Sequence, residues 1–369
     1  MENKIHEIAL TGGPCSGKTT GIKKMQKKFT KDGYKVFIGR EIATDVILGG
    51  VGDMAELAKK DMKQFIEVQR RILWENLDQR KNVLERAKIF RNEKCLVLYD
   101  STAMDGKAYM LPGAYERILK QERLTYFDVR DCFHGGVYLV TAAEGAEKFY
   151  TLKNNKARYE STLKAAREMD RKRRNVWLGH PHFRIIDNST GFKKKMKRLY
   201  NTINSFLGNI EIERRFLLGS PPDFSHPALA EAVKIPIVQD YLLSDGATER
   251  VQERRYGSFS VYYRTKKIKI AGSESAQQEF EEIIPEEEYR RLKERKDPKA
   301  RTVFKNRYHF IYKFQHFELD QILSPRRIWK LEIELLKEDD KISRPPFLDF
   351  KDEITGKAKY SNYGIARGL

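Results

Sequence analysis

Residues Thr11–Thr20 read TGGPCSGKTT, and this stretch decides the fold of the first half of the chain. Gly12 and Gly17 are separated by four residues and followed at once by Lys18 and Thr19, the spacing of a phosphate-binding loop. Glycines there let the backbone curl so that successive N–H groups point inward at phosphate oxygens. Lys18 supplies a compact charge for the β- and γ-phosphates, and the Thr19 hydroxyl suits Mg²⁺. The apolar run Ile5–Leu10 reads as a strand before the loop and Lys18–Thr30 as a helix after it, the context the motif requires. Gly12, Gly13, Pro14, Cys15, Ser16, Gly17, Lys18, Thr19 and Thr20 are therefore expected to hold a nucleotide.

Moving outward, strand-like runs (Tyr34–Ile38, Cys95–Tyr99, Val137–Thr141, Phe183–Ile186) alternate with helical stretches (Met54–Arg91, Tyr159–Arg174, Lys193–Phe206). That alternation predicts a parallel sheet with helices on both faces, an α/β P-loop NTPase domain over residues 1–207. From Ile210 the character changes to short β-rich segments: Ile210–Leu218, Ile237–Leu243, Glu249–Arg255, Ser260–Ile270, Val303–Tyr312, Phe317–Leu319 and Trp329–Leu335. One helix, Pro285–Arg295, interrupts them. Residues 208–369 are expected to form a separate α+β unit built on an antiparallel sheet or barrel.

Composition bounds the function. The 369 residues carry a net charge of +19, with 16 Lys or Arg against 6 Asp or Glu between Glu144 and Tyr200. Such a field attracts polyanions: nucleotides, polyphosphates, anionic phospholipid or acidic protein surfaces. No nucleic-acid-binding motif accompanies it, so nucleic acid is not the expected partner. No run approaches the ~18 apolar residues of a membrane span. Three scattered cysteines argue against a disulfide framework and for a reducing compartment. The expected location is cytoplasmic, with peripheral membrane association open.

Three further features bear on the first half. Asp100 closes the apolar run CLVLYD, where a Walker-B carboxylate would help hold Mg²⁺ or, equally, where an acid would cap a turn. Asp105 is a weaker candidate for the same place. Glu41, after the second strand, sits where ligands gather in open α/β sheets and reads as a general base, a ligand holder or a helix N-terminal charge. Arg158, Arg167, Arg171 and Arg174 recur near helical periods, either to close over phosphate or as a solvated basic face. No Asn/Thr-Lys-x-Asp guanine-reading motif is found, so base identity, GTP or ATP, stays open.

Together, GGPCSGKTT, REIATD, LVLYDSTAMD, RYESTLKAAREMD, WLGHP and IDNSTGFKKKM resemble the NadR-type AAA P-loop domain over roughly residues 5–207. More closely they resemble its form in the TRPL translocation defect protein family. That resemblance implies GTP and phosphoinositide binding, and a CYTH-like domain after the P-loop domain. Bacterial relatives of the domain imply small-molecule kinase chemistry as the other possibility.

In the second half, period-two alternation puts Glu211, Glu213 and Arg215 on one strand face, and Ile212, Phe216 and Leu218 on the other. Glu332 and Glu334 repeat the device opposite Leu331, Ile333 and Leu335. Arg250, Gln252 and Arg254 align similarly, as do Arg264 with Lys266 and Lys305 with Arg307. Singly, each reads as a solvated strand face. Together, carboxylate-bearing and cation-bearing strands suggest a barrel lumen for metal and phosphate. This half resembles the CYTH, or triphosphate-tunnel, family across about residues 209–369. The resemblance implies a second metal site at Glu211, Glu213, Glu332 and Glu334, with an anionic ligand on Arg215, Arg250, Arg254, Lys266 and Arg307. Two positions depart from the family: arginine replaces lysine at Arg215, and Gln252 replaces the second arginine of an Arg-x-Arg strand. Binding is thus better supported than hydrolysis. Three functions follow as expectations: a GTP-binding, slowly hydrolysing regulatory protein; a kinase or triphosphatase; or a nucleotide-stabilised adaptor in a larger assembly.

Overall fold

The computed structural model describes residues 5–90, 92–151, 162–257 and 259–369. The chain divides into two compact units, Met1–Ile203 and Asn204–Leu369.

The first unit alternates β1 (Ile5–Gly12), α1 (Lys18–Lys31), β2 (Lys35–Gly39), α2 (Ile42–Val46), α3 (Met54–Lys60), α4 (Met62–Lys88), β3 (Cys95–Asp100), α5 (Ala114–Gln121), β4 (Gly135–Leu139), α6 (Leu163–Asn175), β5 (Phe183–Ile186) and α7 (Phe192–Leu207). The five strands are parallel, in the order β2-β3-β1-β4-β5. All six residues of β3 are buried, so both faces of the sheet are covered, as a parallel sheet requires. β1 occupies the centre, with Leu10 in register with Asp100 of β3. The loop of residues 13–17 and the end of β3 therefore emerge side by side at the carboxyl edge.

The expected helix Met54–Arg91 is two helices. Asp61 takes an extended backbone (φ −147°) and its side chain accepts from the Gln64 N–H, ending α3 and starting α4. Capping by a short acidic side chain outweighs the continuous apolar periodicity. Of the expected helix Tyr159–Arg174, Leu163–Asn175 is helical; Arg158 lies outside the described residues.

The second unit contains β6 (Ile210–Leu218), α8 (Pro227–Ala230), β7 (Val233–Leu242), β8 (Thr248–Tyr256), β9 (Phe259–Lys269), β10 (Ala276–Ile284), α9 (Glu286–Lys293), β11 (Val303–Tyr312), β12 (Gln315–Ser324), β13 (Ile328–Leu335), β14 (Phe350–Glu353) and α10 (Asn362–Arg367). Neighbouring strands are antiparallel, and β10 pairs back onto β6, closing β6–β13 into an eight-stranded barrel. The fold class read from the sequence stands: a P-loop α/β unit followed by a closed antiparallel CYTH-like barrel.

Alternation along these strands divides the wall into two chemistries. One face carries Phe216, Leu218, Phe310, Phe317, Leu319, Leu331 and Ile333, which pack with Leu229 of α8 and with Leu348 into an apolar core. The opposite face carries Glu211, Glu213, Arg215, Arg250, Arg254, Arg307, Asp320 and Glu332, which form ion pairs with one another or with Lys267, Glu279 and Glu281. The barrel is charged within and apolar without. Among the described residues no helix is long and apolar enough to cross a membrane.

Leu331 has no solvent exposure. Leu331→Ala should lower the barrel's stability by about 2–5 kcal/mol through lost burial and the cavity left behind. Chemical denaturation checks this, and a change below about 1 kcal/mol would contradict the placement of the core.

Candidate functional site

The loop after β1 is shaped by contacts that leave no room for side chains. A Cβ on Gly12 would stand 2.5 Å from the Leu139 carbonyl oxygen, and one on Gly13 only 2.1 Å from Asp170 Oδ1. Gly17 takes φ +87°, a conformation costly to other residues, just before α1 begins.

Three buried groups brace the loop from behind. The Thr141 hydroxyl donates to the Pro14 carbonyl at 2.5 Å. The Asp170 carboxylate accepts from the Thr141 N–H at 2.8 Å and the Tyr138 hydroxyl at 3.1 Å. Lys195 donates to the Ser16 carbonyl (3.1 Å), the Val140 carbonyl (2.9 Å) and Asn188 Oδ1 (2.7 Å).

In front, Lys18 Nζ donates to Asp100 Oδ1 and lies 3.4 Å from Glu41 Oε1. Burial opposes the ammonium charge, but Glu41 and Asp100 outweigh it and raise the Lys18 pKa. Glu41 is lowered despite its burial, because Lys18 and Arg173 favour its carboxylate. Burial pushes the Asp100 carboxyl up, and the attraction of Lys18 offsets only part of that. Asp100 therefore depends on a cation beside it to stay ionised. The Thr19 hydroxyl donates to Asp100 Oδ2 at 3.5 Å, so two hard oxygen donors stand together where a divalent cation could be held.

Asp105 does not share that role. Its carboxylate is engaged by the Thr11 hydroxyl, the Thr102 N–H and Trp177 Nε1, which make it a brace of the β3 turn. Nor do two of the arginines expected from helical spacing, Arg167 and Arg174, line the cavity at the loop. Arg167 binds Glu147 and the Ala143 carbonyl, and Arg174 binds Asp170. Arg173 is the α6 arginine in the site, 3.3 Å from the Ser101 hydroxyl.

The loop residues Gly12–Thr20 line a cavity of about 310 Å³, which continues past Glu41, Gln69, Asn76, Tyr109 and Arg173. Ser16 Oγ and Arg173 Nε are buried there without hydrogen-bond partners. A family model described as "AAA domain" matches residues 7–195, from β1 through Lys195. The chain belongs to the AAA domain family. Its AAA domain is a P-loop nucleotide-binding unit. No curated protein matches the chain. Among solved structures it is similar to the inorganic triphosphatase NE1496, at 30% identity over 43% of this chain and 95% of that one, with a TM-score of 0.30. A structure of the hypothetical protein NE1496 gives 31% identity over 42% and 97%, TM-score 0.30. PH1819 protein from Pyrococcus horikoshii OT3 gives 18% over 35% and 80%, TM-score 0.28.

In the barrel, Glu211, Glu213 and Glu332 of the expected second metal site each have a cation against them. Glu211 is bound by Lys267 at 2.7 Å, Glu213 by Arg215 at 2.6 Å, and Glu332 by Arg307 and Lys330 at 2.5 Å each. Glu334 is half-buried and in register with Glu213. Lys330 and Arg307 overcome burial to hold Glu332 well below the usual carboxylate range. Arg250 meets Glu279 at 3.3 Å and Arg254 meets Glu281 at 2.6 Å, yet the Nε atoms of both arginines and Gln239 Nε2 are buried without partners. Lys266 is not among these groups. It is exposed and in register with Glu249 on the outer face, while Lys267 takes the inward position. A one-residue difference exchanges faces in a strand.

Burial lowers the Lys195 pKa from 10.5 to about 8, against the pull of Asp170. Between those pH values the unfolded chain binds more protons at this position than the folded one, so stability rises with pH. The stability difference between wild type and Lys195→Met should therefore grow from pH 8 to pH 10 in favour of wild type. Denaturant titrations at both pH values check this, and a constant difference would contradict it.

Proposed function

We propose that this protein is a Mg²⁺-dependent nucleoside-triphosphate-binding regulatory protein, with residues 1–207 as the nucleotide unit and the barrel at 208–369 taking a second, phosphate-bearing ligand. The observation that carries the first half is the Lys18–Asp100 pair with Glu41 beside it. Phosphate oxygens offer Lys18 a better partner than either carboxylate, and its departure leaves Asp100 buried and without its cation. Asp100 and Thr19 then supply oxygen donors for Mg²⁺, which would neutralise phosphate charge when bound. Arg173 and the loop N–H groups hold the remaining phosphate oxygens. GTP is the nucleotide favoured by the resemblance, and slow hydrolysis is compatible with a site whose carboxylates are held by cations.

A second reading is favoured by one observation. The cavity continues beyond the loop to Glu41, Gln69, Asn76 and Tyr109. Such space and polar lining suit an acceptor hydroxyl, with Glu41 as the base, in a small-molecule kinase.

For the barrel, the unpartnered donors of Arg250, Arg254 and Gln239 support an anionic ligand, either a phosphoinositide headgroup or free polyphosphate. The printed activity of the inorganic triphosphatase NE1496 makes tripolyphosphate a direct test compound. Peripheral membrane association and a role in membrane traffic would follow from the phosphoinositide arm. Docking to acidic protein surfaces would follow from the net charge of +19.

Titration of labelled GTP and ATP tests the central reading. Lys18→Ala should abolish binding of both, and removal of Mg²⁺ by chelation should weaken wild-type binding at least about tenfold. Asp100→Asn needs no cation, so its residual binding should be insensitive to chelation. Wild-type binding that ignores Mg²⁺ would overturn the assignment, and strong preference for ATP would remove the GTP reading. Vesicles containing phosphoinositide, against free tripolyphosphate, separate the two barrel ligands: an Arg250→Glu, Arg254→Glu variant that still binds both would sink the tunnel assignment.

A further inference from the structure

We propose that His309, His316 and Glu318 form a binding site for one divalent transition-metal ion of the zinc class in the barrel wall, distinct from the oxygen-only sites considered above. The site is built by strand register. His309 of β11 is directly opposite Glu318 of β12, and His316 is two residues before Glu318, on the same face of β12. The two strands are joined by a tight turn in which Lys313 and Phe314 both take positive φ, 46° and 59°, which fixes the register.

The donor atoms converge. His309 Nδ1 lies 3.1 Å from His316 Nε2 and 3.6 Å from Glu318 Oε1, and the three donors are all within 4.8 Å of one another. Two donors on a tetrahedral ion at about 2.0–2.1 Å stand about 3.3 Å apart, so the two distances from His309 Nδ1 need only tenths of an ångström of adjustment, and the third pair, His316 with Glu318, lies within 4.8 Å. The imidazole planes are 13° from parallel.

Ligand type sets the class of metal. Two imidazoles and a carboxylate suit zinc-class ions, whereas Mg²⁺ prefers oxygen donors throughout. Glu318 is also oriented for the task. Arg307 donates to its Oε2, leaving Oε1 toward His309. Residues that orient a ligand in this way strengthen metal sites. His309 and Glu318 are buried and His316 is half-buried. Three protein donors leave a fourth position for water or for a phosphate oxygen of a tunnel ligand. The same contact also describes a plain hydrogen bond between two histidines, and the experiment distinguishes the two.

The full chain, stripped of metal, is titrated with Zn²⁺ by calorimetry in excess Mg²⁺, and with Co²⁺ by visible absorption. The expected result is about one ion per chain, a tetrahedral cobalt spectrum and no displacement by Mg²⁺. His316→Ala, at the half-buried position, should keep its circular dichroism and weaken zinc binding by more than about tenfold, the smallest loss typical of residues that only orient a ligand. His309→Asn should remove the cobalt spectrum. No uptake by wild type, zinc displaced by Mg²⁺, or uptake unchanged in His316→Ala would each overturn the site.

Discussion

A lysine ammonium buried between two carboxylates is the constraint on which the first unit depends. Lys18 begins α1, Asp100 ends β3 and Glu41 precedes α2, so one cation ties the ends of three elements at the carboxyl edge of the sheet. Asp100 is buried deeply enough that its charge needs a cation close by, and Lys18 provides it. Such an arrangement is stable yet exchangeable: a stronger anion can take the lysine, and a second cation can take the aspartate. The loop itself contributes little freedom, because Asp170, Thr141 and Lys195 hold it from behind.

The barrel applies the same rule on a larger scale. A lumen of acidic and basic side chains survives burial only where the charges are matched; the ladder register matches Glu332 with Arg215 and Asp320 with Lys330, and Arg307 reaches Glu318 and Glu332, which stand opposite each other. Apolar burial is moved to the outside of the wall, where α8 and the segment around Leu348 cover it. A ligand entering such a lumen would exchange partners with groups already paired, as proposed for a nucleotide at Lys18. This common logic links the two readings under which one unit holds nucleotide and the other an anionic phosphate.

The sequence made some of this legible, for reasons that are local. The glycine–lysine–threonine spacing is contained in ten residues, and the period-two faces of Ile210–Leu218 and Trp329–Leu335 are contained in single strands. What it hid depends on distance or on inverted polarity. Lys195 reaches Ser16 across 179 positions, and Asp170 reaches Thr141 across 29. Both sit inside the runs REMD and GFKKKM that carried the family resemblance, but nothing local assigns them to the loop. Strand β10, AQQEFEEII, is not legible as a strand because its acids Glu279 and Glu281 face the lumen while Phe280 faces out and is exposed. Arg173 rather than Arg174, and Lys267 rather than Lys266, are errors of one residue that only the packed helix and the paired strand resolve.

The most direct test of the exchange at Lys18 is a structure of the full chain with Mg²⁺ and a non-hydrolysable nucleoside triphosphate. Lys18 Nζ should lie within hydrogen-bond reach of β- and γ-phosphate oxygens, parted from Asp100, with Asp100 turned to the metal directly or through water. A triphosphate bound in the loop with Lys18 still on Asp100, or no triphosphate in the loop at all, would contradict it.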